Sequence, residues 1–85
     1  MTEVISVRTL FFGIYGELSQ YKSPGYLELP SESTVEDFLD EMRGAAGCDW
    51  LPERVVVAVN QRYAEMETLL NDGDEVALIP PVAGG

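Results

Sequence analysis

The chain of 85 residues has 15 acidic and 5 basic side chains, a formal charge of −10 and an isoelectric point near 4.1. The length predicts one domain with a modest core, and the acidic balance argues against binding to nucleic acid or to an anionic membrane. Histidine is absent, so the commonest general base and metal ligand at neutral pH is missing and a self-contained active site is not expected.

The cysteine content and the apolar runs bear on the compartment. Cys48 is the only cysteine, which excludes an internal disulfide and fits a reducing environment. No run approaches the roughly 18 apolar residues of a membrane span, and the N-terminus lacks a signal-peptide pattern. The sequence therefore predicts a soluble, cytoplasmic protein.

The first predicted strand runs from Val4 to Phe12 and is rich in β-branched and aromatic residues. Its alternation separates two faces, Ile5, Val7 and Phe11 on one and Arg8, Leu10 and Phe12 on the other. Because Arg8 favours solvent, Phe12 is expected to be exposed, although inverted faces would bury it. Gly13 to Ser19 breaks the strand, and Tyr26 to Leu29 is predicted to return as the second strand of a hairpin.

A helix is predicted to follow, and two overlapping capping boxes mark its start, Ser33 with Glu36 and Thr34 with Asp37. Its apolar residues recur at helical spacing: Val35, Phe38, Leu39, Met42 and Ala46. Gly44 or Gly47 is expected to end it. The connector from Cys48 to Pro52 is predicted to lay Trp50 over the end of the core.

The second half of the chain is predicted to be β-structure. Arg54 to Val59 is strongly β-branched and is expected to be the central strand. Asn60-Gln61 turns the chain into a short strand from Arg62 to Ala64, after which Leu69 or Leu70 fills the core. A turn at Asn71 to Asp74 precedes the last strand, Glu75 to Ile79, with Val76 and Leu78 inward. Two strands, a helix and further strands predict an α+β fold.

Pro80 and Pro81 cannot extend a strand ladder, so residues 80–85 are predicted to project from the domain of residues 1–79. Six extended residues reach at most about 20 Å. The arm closes with Val82, Ala83, Gly84 and Gly85, and residues without a Cβ can pass through a narrow channel in a partner.

Four stretches carry a resemblance to a known family: VRTLFFGIYGEL from Val7, STVEDFL from Ser33, VAVNQR from Val57 and DGDEVALIPPVAGG at the C-terminus. In this order they resemble the molybdopterin synthase small subunits, the MoaD family of sulfur carriers in molybdenum cofactor synthesis. The resemblance implies a ubiquitin-like β-grasp fold, a mixed sheet of about five strands packed on one main helix. It also implies that the first and last strands are neighbours.

The resemblance also implies the chemistry. An E1-like enzyme would use ATP to adenylate the carboxylate of Gly85, and a sulfur donor such as a cysteine desulfurase system would convert it to a thiocarboxylate. Inside the large synthase subunit, the sulfur would pass to cyclic pyranopterin monophosphate to form the dithiolene. Gly84, which has no side chain, would fit through the narrow channel of that subunit. The chain itself would be a non-catalytic subunit of a heterotetramer, with no metal and no permanently bound cofactor.

The same resemblance, combined with the strand faces, gives candidate partner-binding residues. If the first and last strands are adjacent, Phe12 and Ile79 become neighbours on the face away from the helix, where an apolar patch suggests docking. We expect the large subunit to contact this patch and the arm: Phe12, Tyr63, Ile79, Pro80, Pro81, Val82 and Ala83.

Other residues and functions have alternative interpretations. Cys48 is interpreted as buried rather than as a sulfur relay, and Asp72, Asp74 and Glu75 as turn formers rather than cation ligands. Two rival functions share the arm, a sulfur carrier for thiamine thiazole synthesis and a ubiquitin-like modifier attached through its diglycine. An enzyme in its own right is disfavoured by the small size and the missing histidine.

Overall fold

The computed structural model describes residues 3–18, 25–44 and 48–80. Within these residues there are five strands and two helices: β1 Val4–Phe11, α1 Ile14–Leu18, β2 Gly25–Pro30, α2 Val35–Arg43, β3 Val56–Val59, β4 Arg62–Ala64 and β5 Glu75–Ile79. The strands form one sheet in the order β2-β1-β5-β3-β4. β1 and β5 run parallel and the other pairs are antiparallel. This mixed sheet with α2 on one face confirms the predicted α+β, β-grasp fold.

The alternation of β1 determines which residues face α2. Ile5, Val7 and Phe11 are buried as predicted, and Thr9 joins them in the core. Phe12 follows the strand, and its N–H donates to the Leu78 carbonyl at 3.1 Å. Because its side chain lies on the opposite face, Phe12 is 47% exposed, which confirms the predicted assignment of the two faces.

One of the two predicted capping boxes begins α2. The Thr34 hydroxyl accepts from the Asp37 N–H at 3.2 Å, and the Asp37 carboxylate accepts from the Thr34 N–H at 2.9 Å. Ser33 is not the cap, because its hydroxyl is directed to the Pro30 carbonyl at 2.6 Å. The helix ends at Arg43 with Gly44 as its C-cap, and the alternative end at Gly47 lies outside the described residues.

The segment between β4 and β5 connects the start of α2 to the sheet. The N–H groups of Val35 and Glu36 donate to the carbonyls of residues 68 and 66 at 2.9 and 3.0 Å. Leu70 is 2% exposed and Leu69 is 58% exposed, so Leu70 is the residue that fills the core.

Two sequence predictions were wrong. The central strand is β5, which pairs with β1 on one side and β3 on the other, whereas β3 lies one strand from the edge. The stretch after β1 was expected only to break the strand, but it contains α1. Five residues with an internal glycine give no amphipathic period, which explains why this short helix was missed.

The connector after α2 covers one end of the core, as predicted. Trp50 is half-buried and packs against Tyr15 and Phe11, with ring centroids 5.5 and 6.4 Å away. Cys48 is 1% exposed, in agreement with its interpretation as a buried side chain.

Candidate functional site

The predicted arm begins where β5 ends beside the end of β1. Ile79 is the last residue of β5 and Pro80 follows it, half-buried. The other predicted arm residues lie outside the described residues: Pro81, Val82, Ala83, Gly84 and Gly85. The sheet therefore presents the start of the arm next to Phe12.

A shallow apolar groove of about 290 Å³ lies beside this point, on the sheet face opposite α2. Its lining residues come from the end of β1, the β3–β4 hairpin and β5: Phe12, Ala58, Gln61, Tyr63, Glu75, Ala77 and Ile79. The structure thus brings together three of the seven residues that the sequence predicted to contact a partner, Phe12, Tyr63 and Ile79. Tyr63 is 81% exposed, so the rim of the groove offers an aromatic surface to a partner.

The strand register explains why this face is concave. Ala58 of β3 lies opposite Ala77 of β5 and opposite Tyr63 of β4. Two small side chains therefore form the floor, and the larger Phe12, Ile79 and Tyr63 stand around it. The sequence analysis missed the two alanines. The feature that could have identified them is their small size. Ala58 and Ala77 occupy outward positions of strands whose inward residues are valine and leucine.

The β3–β4 turn holds Gln61 and Tyr63 over the groove. Asn60 and Gln61 both have positive φ, at 52° and 70°, as a two-residue type I′ hairpin requires. The Asn60 amide bridges to β5, since its Oδ1 accepts from the Glu75 N–H at 3.0 Å and its Nδ2 donates to the Asp74 carboxylate at 2.9 Å. This side chain fixes the hairpin against the central strand.

The carboxylates at and before the start of β5 have structural partners. Asp72 accepts from the Ser6 N–H and Asp74 from the Asn71 N–H, both at 2.8 Å, which favours the predicted turn role. Glu75 lies 3.8 Å from Arg8 in a partly exposed ion pair of little energetic weight. No group of three or more metal-ligating side chains occurs in the part of the chain that the structure describes.

Two ionisable side chains contribute to the lining of the groove. They are Tyr63 and Glu75, and among the described residues Glu75 forms an ion pair with Arg8. In the described ranges, none of the helices combines the length and apolar character needed to cross a membrane.

Sequence comparison identifies the family. A model of the ThiS family matches residues 9–85, which include the end of β1, the groove and the arm. The chain belongs to the ThiS family. A relative of this ThiS-family chain, the molybdopterin synthase sulfur carrier subunit of Mycobacterium tuberculosis, is 37% identical over 87 residues, covering 96% of this chain and 100% of that protein.

Solved structures agree with the fold of this ThiS-family protein. SAMP1 of Haloferax volcanii superposes with a TM-score of 0.76 at 28% identity, covering 94% of this chain and 99% of that one. Ubiquitin of Caldiarchaeum subterraneum has a TM-score of 0.58 at 16% identity, covering 98% and 100%, and shows the shared ubiquitin-like fold.

Proposed function

We propose that this protein is the sulfur carrier subunit of a molybdopterin synthase. The observation that carries the proposal is the match along nearly the full chain to a carrier subunit of that synthase. The position of the groove supports it, because a partner that receives the arm at Pro80 also meets the exposed Phe12 and the half-buried Ile79.

The chemistry is proposed for the carboxylate of Gly85. An ionised carboxylate with an ordinary pKa near about 3.3 is a poor acyl donor, so it must first be activated. Its oxygen attacks the α-phosphorus of ATP on an E1-like enzyme, and pyrophosphate leaves. A donor such as a cysteine desulfurase system supplies sulfur as a persulfide, whose outer sulfur attacks the acyl adenylate and displaces AMP. A thiol reductant then cleaves the resulting acyl disulfide, leaving a thiocarboxylate and a disulfide.

The large synthase subunit is proposed to hold the substrate and to perform the transfer. The thiocarboxylate sulfur attacks a carbon of cyclic pyranopterin monophosphate as a carbon–oxygen bond of that substrate breaks. Water then hydrolyses the resulting thioester, which leaves the sulfur on the substrate and restores a carboxylate at Gly85. Two such transfers supply the two sulfurs of the dithiolene, which suits a heterotetramer of two small and two large subunits. A carrier with a charge of −10 would repel the substrate phosphate, so the partner must supply the cations that bind it.

Reconstitution with labelled sulfur tests this proposal. The chain is loaded by ATP, the activating enzyme and a labelled sulfur donor, and is then mixed with large subunit and cyclic pyranopterin monophosphate. We expect the label in a dithiolene product, and none when Gly85 is deleted. Transfer to the thiazole synthesis machinery with no transfer to the pyranopterin would overturn the assignment in favour of the thiamine pathway.

A second candidate function has a specific observation in its favour. SAMP1, a small archaeal modifier protein by name, is 28% identical to this chain, which keeps open a role as a ubiquitin-like modifier. That role predicts isopeptide-linked adducts of this chain in cells, detected as diglycine remnants on target lysines. Adducts together with no detectable thiocarboxylate would favour the modifier over the sulfur carrier.

A further inference from the structure

We propose that Gly13 is a positioning residue for the sulfur-carrying arm, because it leaves the space in which the ring of Pro80 lies. The inference rests on the proposed function and adds a residue that acts on the arm from a different part of the chain. Its basis is a close contact between the β1–α1 turn and the residue that follows β5.

The turn at Gly13 is held from both sides. The Phe12 N–H donates to the Leu78 carbonyl at 3.1 Å, and its carbonyl accepts from the Tyr15 N–H at 3.1 Å. The Gly13 carbonyl accepts from the Gly16 N–H at 3.0 Å, which closes the first turn of α1. Gly13 has φ +56°, a conformation that favours glycine.

A side chain at this position would meet the start of the arm. A Cβ built on Gly13 would lie 3.0 Å from Cγ of Pro80 and 3.8 Å from Cδ. The first distance is below ordinary van der Waals separation between carbons, which is about 3.5–4.0 Å. One of the two residues must therefore shift when Gly13 carries a methyl group.

Pro80 is the residue that should shift. The turn at Gly13 is fixed by hydrogen bonds to β5 and within α1, whereas proline has no N–H with which to hold itself to the sheet. Residues 81–85 are attached to Pro80, so a shift of Pro80 changes the position from which the arm starts. The methyl group requires a shift of a few tenths of an ångström, so the expected loss of rate is smaller than the roughly 10²-fold that a displacement of about 1 Å at a reacting group can cause.

Steady-state transfer from thiocarboxylated carrier to the synthase tests the inference. We expect Gly13→Ala to lower kcat about tenfold or more while the KM for the carrier stays within about twofold, because the groove is intact. The matched control is Gly73→Ala. Gly73 also has a positive φ, at +87°, but nothing lies within 4 Å of the position that a Cβ would take there.

The control separates strain from positioning. Both substitutions put alanine at positive φ, so both should lower Tm, by about 5 °C or more, while only Gly13→Ala lowers kcat. Pro80→Ala removes the ring atoms that the methyl group would meet. In the Pro80→Ala background, the Gly13→Ala substitution should therefore have a much smaller effect on kcat.

Several results would contradict the inference. Equal kcat values for the two glycine variants would overturn it, as would an undiminished effect of Gly13→Ala in the Pro80→Ala background. Failure of Gly13→Ala to fold would also overturn it, because then Pro80 does not yield. A wild-type chain that transfers no sulfur would contradict the proposed function, and the inference that rests on it. This result differs from the others because it is seen in the wild-type chain, before the variants are compared.

Discussion

Tyr15 shows how one residue can bury a polar atom without a partner. Its ring is 5% exposed and packs against Trp50, and its hydroxyl has no hydrogen-bond partner in the described part of the chain. A buried hydroxyl without a partner costs about 1–3 kcal/mol. Tyr15→Phe should therefore raise the free energy of unfolding by about 1 kcal/mol at neutral pH, measured by urea denaturation.

The same residue predicts a pH dependence. Burial raises the pKa of Tyr15 above the ordinary value of 10.0, so the folded state keeps this proton after the unfolded chain begins to lose it. Ionisation of Tyr15 therefore does not change the free energy of unfolding below about pH 10. The free energy of unfolding falls as the pH rises from there through the folded-state pKa. Tyr15→Phe should remove this loss, whereas Tyr26→Phe, at a 69% exposed position, should retain it. An alkaline limb unchanged by Tyr15→Phe would contradict this explanation.

Residue-level predictions from the sequence succeeded where the alternation of a strand decided them. Arg8 indicated the solvent face of β1 and thereby the exposure of Phe12. The predictions left two alternatives where neighbouring residues were equally suited to the core. Leu69 and Leu70 are chemically identical, and contacts distant in sequence fix the segment, among them the bond from the Leu70 N–H to the Ser33 carbonyl at 2.9 Å and the bridge between Leu69 and Thr34.

At the scale of elements, the capping box makes α2 sensitive to single substitutions. Asp37 and Glu36 both lie in the first turn and are both exposed, but only the Asp37 carboxylate accepts the Thr34 N–H. Asp37→Ala should lower the free energy of unfolding by about 1 kcal/mol.

Glu36→Ala is the matched control for this prediction. It removes the same charge from the positive end of the helix dipole, so that contribution cancels in the comparison. The difference between the two variants in urea denaturation should be about 0.5–1 kcal/mol. Equal losses would show that the charge, and not the capping box, stabilises α2.

The existence of most elements could be predicted from sequence because their signals are local. The β-branched run of β3, the capping box of α2 and the turn residues after β3 each act within a few residues. The order of the strands, in contrast, depends on contacts between residues that are far apart in the sequence. β5 is central because it pairs with β1, from the other end of the chain, as well as with β3, and it was the family resemblance that predicted the pairing of the first and last strands.

At the scale of the whole molecule, the groove and the start of the arm lie side by side, and this predicts the effect of surface substitutions. The groove as a docking site for the large subunit stays a prediction. Tyr63→Ala should weaken binding about 30-fold, since a buried aromatic anchor is commonly worth about 2 kcal/mol at an interface. Because Tyr63 is 81% exposed, the free energy of unfolding should change little.

Tyr26→Ala is the control for docking. Tyr26 is 69% exposed and lies on the same sheet face, but on edge strand β2 and outside the groove. Titration calorimetry with the large subunit should give wild-type affinity for this variant. Equal losses for Tyr63→Ala and Tyr26→Ala would show that the groove is not the docking site.

The most direct test of the sulfur carrier proposal is the intact mass of the chain after incubation with ATP, an activating enzyme and a sulfur donor. We predict a mass increase that corresponds to the exchange of one oxygen for one sulfur. The increase should require ATP and disappear when Gly85 is deleted. No increase in the wild-type chain, or an increase that persists after deletion of Gly84 and Gly85, would contradict a sulfur carried at the terminal glycine.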